Sequence, residues 1–95
     1  MLDITSIKKP VFEIKIADGV ILHVLPLTKT MLERAAKMRT TDIDGLYGFT
    51  AELLTNNEEK KAIGLEDVEK FDIFVVRKIF TDYMQFVVDF EKNPN

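Results

Sequence analysis

VFEIKIADGVILHVLP, residues 11–26, reads as a β-hairpin over about 11–25. Its first half alternates apolar and polar side chains, its second half is rich in β-branched residues, and Ala17-Asp18-Gly19 lies between them. A two-residue Asp18-Gly19 loop would pair Ile14 with His23 and carry the imidazole onto the face of Phe12, Ile14 and Ile16. A three-residue loop with Gly19 in the left-handed region instead sets Ile16 opposite Val20, Ile14 opposite Leu22 and Phe12 opposite Val24. That register makes one face wholly apolar and turns Glu13 and His23 together onto the other, so it is the one expected, with Phe12, Ile14, Leu22 and Val24 buried. Pro26 ends the second strand, having no N–H to give a ladder.

The rest of the chain reads as helical. Thr28 or Thr30 caps a helix over about 29–39, Thr30 and Glu33 having the spacing of a capping box. Met31, Leu32, Ala35, Ala36 and Met38 share one face of it, and Glu33 and Lys37 form an i,i+4 pair outside that face. Asp44 is expected to cap a second helix over about 45–56, in which Leu46, Phe49 and Leu53 recur at helical spacing and Tyr47 and Leu54 widen the stripe. Asn56-Asn57 ends it. A short helical turn over about 65–71 follows Gly64, and Asp72 caps the last and longest helix, about 73–91. The expectation is a single α+β domain over residues 1–95: an N-terminal β-hairpin, then a small bundle of three to four helices with a long C-terminal one.

The last helix carries the most information. At 100° per residue its apolar side chains, from Ile73 to Phe90, fill an arc of about 220°, where a helix lying on one core needs an apolar stripe of roughly 100° or somewhat more. Either this is the central helix, or it offers a second face to another chain. Phe80, Tyr83, Phe86, Val87 and Phe90 are therefore the candidate partner-binding residues, expected to include both core and partner-facing side chains.

Composition excludes several classes. A net charge of −3 gives no electrostatic footprint for nucleic acid. The charge is uneven: residues 29–39 carry a net +3 and residues 52–72 a net −4, which fits ordinary solvated faces or head-to-tail self-association. With no cysteine there is no disulfide or thiolate metal site, and no apolar run has the length of a membrane span or a signal peptide, so the expected location is the cytoplasm. His23, the single histidine, reads as structural. Thr40 to Gly45 has the start of a calcium loop, but its twelfth position is Ala51, where a bidentate carboxylate is required. The four glycines never take the spacing of a phosphate loop, and Ser6 has no base near it in sequence. No catalytic residue, cofactor or metal site is expected; the chain reads as a non-enzymatic protein-binding domain.

The order of elements carries a resemblance. A hairpin with Phe12-Glu13-Ile14-Lys15-Ile16, Gly19 and Leu25-Pro26-Leu27-Thr28 leads into a helix, and Gly64-Leu65-Glu66-Asp67-Val68-Glu69-Lys70-Phe71 introduces a C-terminal helix with Tyr83-Met84-Gln85-Phe86-Val87. Over nearly the whole chain this resembles the tail assembly chaperones of long-tailed, siphovirus-like bacteriophages, through a pattern of apolar residues and turns; the match of residues 26–40 is looser. The resemblance implies a protein made in the host cytoplasm that coats the tape measure protein, helps tail tube subunits polymerise around it, self-associates, and is absent from the mature virion. It also implies a longer form made by frameshifting: Glu91-Lys92-Asn93 permits a slippery heptamer, and the polar tail through Pro94 and Asn95 is expected to fray. The other reading is a small regulatory module of the antitoxin or inhibitor type, binding one globular target at fixed stoichiometry.

Overall fold

The computed structural model describes residues 1–7, 9–39 and 41–92. After a 3-10 turn, Ile4–Ser6, come strands β1, Phe12–Ala17, and β2, Val20–Val24, and helices α1, Lys29–Lys37, α2, Ile43–Thr55, α3, Leu65–Val68, and α4, Ile73–Lys92. The α+β architecture of hairpin followed by helices is the expected one. Of the tail expected to fray, Glu91 and Lys92 belong to α4, and Asn93 to Asn95 lie outside the described residues.

The hairpin keeps the expected register, with Phe12 opposite Val24, Glu13 opposite His23 and Ile14 opposite Leu22. The turn is reached differently from the expectation. Ala17, not Ile16, stands opposite Val20, and a one-residue irregularity between Lys15 and Ala17 absorbs the difference. The tight Asp18-Gly19 loop would by itself have put His23 on the apolar face; the bulge at Ile16 restores the alternation. Gly19 has φ 76°, the left-handed conformation that the turn requires. Leu22 and Val24 are fully buried, whereas Phe12 and Ile14 are half-buried and only border the core.

Helix starts follow capping chemistry with small shifts. Thr28, not Thr30, caps α1 through its hydroxyl, and the Thr30–Glu33 capping box does not form. Glu33 pairs with Lys29 at 3.8 Å instead of Lys37, Ala36 is exposed, and Ala35 alone of the expected face is fully buried. Asp42, not Asp44, caps α2: its Oδ1 accepts from the Gly45 N–H at 3.1 Å, so the helix starts two residues early. The turn of α3 is shorter than expected. Asp72 does cap α4, accepting from the Val75 N–H at 3.0 Å.

The central helix is α2, which buries Leu46, Phe49, Thr50, Ala51, Leu53 and Leu54 and packs against β2, α3 and α4. Thr50 tolerates burial because its hydroxyl donates back to the Leu46 carbonyl at 2.8 Å. One face of α4, with Val76, Ile79, Phe80 and Tyr83, closes the core. The irregular segment after α2 acts as a partial third strand. Leu25 N–H donates to Asn56 O at 2.8 Å and Glu58 N–H to His23 O at 2.9 Å. Buried Asn57 organises it, its amide donating to Leu54 O and Lys61 O at 2.7 and 2.8 Å and its oxygen accepting from Lys61 N–H at 2.9 Å.

Two substitutions test these local devices by urea unfolding. Gly19→Ala should lower stability by about 1 kcal/mol, because open space surrounds a Cβ there and only the positive φ opposes it. Asn57→Ala should cost about 2 kcal/mol, because it strips partners from buried backbone groups.

Candidate functional site

The candidate partner-binding residues divide sharply once folded. Phe80 stacks edge-on against Phe49 at 5.9 Å and is buried. Tyr83 is wholly buried, T-packed on Phe12 at 5.5 Å, with its hydroxyl donating to the Leu25 carbonyl at 2.9 Å. Burial pushes its phenol pKa up to about 12, so it remains a neutral donor. These two belong to the core. Phe86 is half-buried, its ring 5.5 Å from Phe12 and 5.8 Å from Tyr83. Val87 is half-buried and Phe90 is exposed, at 39% of its full accessibility.

Phe86 and Phe90, one helical turn apart, form a ridge between two depressions. On one side, Pro10, Pro26, Leu27, Leu32 and Val87 join the ridge in a cleft of about 220 Å³ whose lining residues are all apolar. Pro26 and Leu27 reach it because the chain leaves the sheet after β2 ends at Val24, and Leu32 because α1 begins at Lys29. On the other side, Phe12, Asp82, Gln85 and Asp89 join the ridge in a shallow groove of about 490 Å³. Sequence periodicity identified the ridge. It missed the walls contributed by Pro10, Pro26 and Leu27, which lie on segments with no periodic signal of their own, and by Leu32, whose helical stripe gave no sign that it would meet α4 here.

A second apolar surface lies at the other end of α4, where Phe74 is 78% exposed. The basic α1 is partly satisfied within the chain: Arg34 meets Glu52 at 2.7 Å and lies 5.4 Å over the Phe49 ring. A head-to-tail contact between basic and acidic surfaces therefore has one fewer cation to offer than the sequence suggested.

His23 is bound to two glutamates. Glu59 accepts from the His23 backbone N–H at 2.8 Å and meets its Nδ1 at 2.6 Å, while Glu13 lies 3.6 Å from Nε2. The hydrogen bond to Glu59 raises the imidazole pKa above its ordinary 6.5, with Glu13 and Glu58 adding to the effect. The same bonds, the backbone one foremost, hold Glu59 below its ordinary 4.5. This geometry ties the hairpin to the segment after α2. Among the described residues, no group of three or more His, Cys, Asp or Glu is placed to hold a metal ion. No described helix is long and apolar enough to cross a membrane.

Comparison with family models, with curated proteins and with solved structures finds no match for this chain.

The His23–Glu59 pair has a defined pH window. A raised histidine pKa contributes stability fully present below 6.5 and lost as pH rises through the folded value. A lowered glutamate pKa contributes stability fully present above 4.5 and lost as pH falls through the folded value. His23→Gln should therefore lower the urea midpoint most between those two values, and the gap to the parent protein should narrow on either side.

Proposed function

We propose that this chain is a non-catalytic assembly factor that binds other protein chains, acting as a phage tail assembly chaperone on the tape measure protein during tail morphogenesis. The observation that supports it is the surface around Phe86, Val87 and Phe90. A half-exposed aromatic ridge beside a wholly apolar cleft is the surface a helix with an apolar stripe would cover. A tape measure protein is a long helical chain with repeated apolar stripes, so many copies of the chaperone could sit along it. In this reading the protein works in the host cytoplasm, needs no cofactor, contacts tail tube subunits as they polymerise, self-associates, and leaves before the virion is complete.

Co-expression with the tape measure protein from the same genome tests this reading. A complex with several copies of this chain per partner is expected on size-exclusion chromatography with light scattering. Phe90→Glu should weaken the complex about tenfold or more while lowering the chain's own stability by less than about 1 kcal/mol. A strict one-to-one complex with a single globular target, and no binding to the tape measure protein, would favour a regulatory module instead.

A further inference from the structure

We propose that the groove on the Phe12 side of α4 selects a helical partner whose apolar stripe is bordered on one flank by lysine or arginine. This rests on the protein-binding reading above and specifies the chemistry of the partner. Asp82, Gln85, Phe86, Asp89 and Phe90 recur along α4 at i, i+3, i+4, i+7 and i+8, a straight stripe two turns and about 12 Å long. Phe12 and Phe86 form its apolar floor, with their rings 5.5 Å apart. A second helix laid along such a stripe inserts its own i, i+3 and i+4 side chains between those of α4.

Charge sets which helix fits. The rim carries Asp82 and Asp89, two turns apart on the same side, and none of the described residues lining the groove is a lysine or arginine. Asp82 meets Lys78 Nζ at 3.0 Å, whereas Asp89 accepts from the neutral amide of Gln85 at 2.8 Å, a bond that brings no positive charge to it. The cleft across the ridge has no ionisable lining residue. A helix covering the ridge thus meets acid on one flank only, which fixes its rotation about its own axis.

The same charges argue against a second copy of this chain as occupant. Pairing the stripe with itself about a two-fold axis would bring Asp82 of one copy toward Asp89 of the other, a repulsive contact. The basic helix α1 offers no free apolar stripe either: Ala35 is buried, Met31 and Leu32 are half-buried against their own core, and Ala36 is the only apolar residue it leaves exposed.

The test uses three synthetic helical peptides of about 20 residues, long enough to overlie the groove. They share one leucine and phenylalanine stripe and differ on one flank, which is lysine, glutamine or glutamate. Binding to the full chain is read by fluorescence anisotropy at low and high salt. The lysine peptide should bind about five- to tenfold more tightly than the glutamine peptide at low salt, with the advantage shrinking at high salt. The glutamate peptide should bind weakest. The double variant Asp82→Asn, Asp89→Asn should abolish the lysine advantage, bringing the lysine and glutamine peptides to equal affinity. Equal binding of the lysine and glutamine peptides would overturn the charge selection and leave the helix-binding reading standing. Failure of all three to bind would remove both. A lysine advantage that persists in the double variant would place the selecting charges elsewhere and refute this groove. Concentration-dependent dimerisation that competes with the peptides would make a second copy the occupant.

Discussion

Burial of the hairpin's apolar face is the constraint on which the rest of the molecule depends. A lone two-stranded ribbon is at best marginally stable in water, so β1 and β2 persist only because Leu22 and Val24 find a surface to cover them. That surface is built by α2 and by α4, and Tyr83 stands at the junction. Its ring packs against Phe12, and its hydroxyl reaches the carbonyl of Leu25, where β2 gives way to Pro26. One side chain thus joins the first strand, the end of the second and the last helix. The polar tip has to be satisfied because it is buried, and the Leu25 carbonyl at the strand end accepts it alongside a longer bond of 3.5 Å from the Asn56 amide.

The far edge of the hairpin is held by a different chemistry. The segment after α2 has no regular repeat, yet it closes the sheet through backbone bonds to His23 and Leu25, and Asn57 holds it in shape. The His23–Glu59 pair adds a charged clasp about one-third exposed to solvent. Core and clasp respond to different conditions: the apolar contacts are insensitive to pH, and the clasp titrates at both ends of its range. The lone histidine is accounted for by this structural role.

The helix that completes the core is also the one that presents the candidate site. Two turns of α4 beyond Val76 bury Ile79, Phe80 and Tyr83; further on, the hairpin ends and the same apolar stripe emerges at Phe86, Val87 and Phe90. The apolar surface there is the continuation of the core beyond the elements that cover it. Its two flanks differ because one is walled by Pro26, Leu27 and Leu32 and the other by the acidic side of α4 itself. A partner helix would complete the packing that the chain's own elements leave unfinished, which is why core and candidate site share Phe86.

Much of this fold was legible locally. The two-residue alternation of the strands, the 3.6-residue stripes of α2 and α4, the left-handed Gly19 and the Asp72 cap all follow from backbone sterics and from hydrogen bonds between near neighbours. Each is readable within a few residues of sequence. The departures also have local form: Thr28, one of the two caps expected, wins over the Thr30–Glu33 capping box, and Asp42 replaces Asp44, because neighbouring side chains compete for the same cap and the geometry of the incoming chain chooses. Sequence by itself determined which residues of α4 are apolar, and that there are more of them than one core contact uses. Only the tertiary structure decided which ones are spent, by bringing Phe12 onto Tyr83 and Phe49 onto Phe80 across separations of more than 30 residues. It also made α2, not α4, the central helix. Exposure is a property of what else arrives at a surface, and that is set by long-range packing that no local periodicity records.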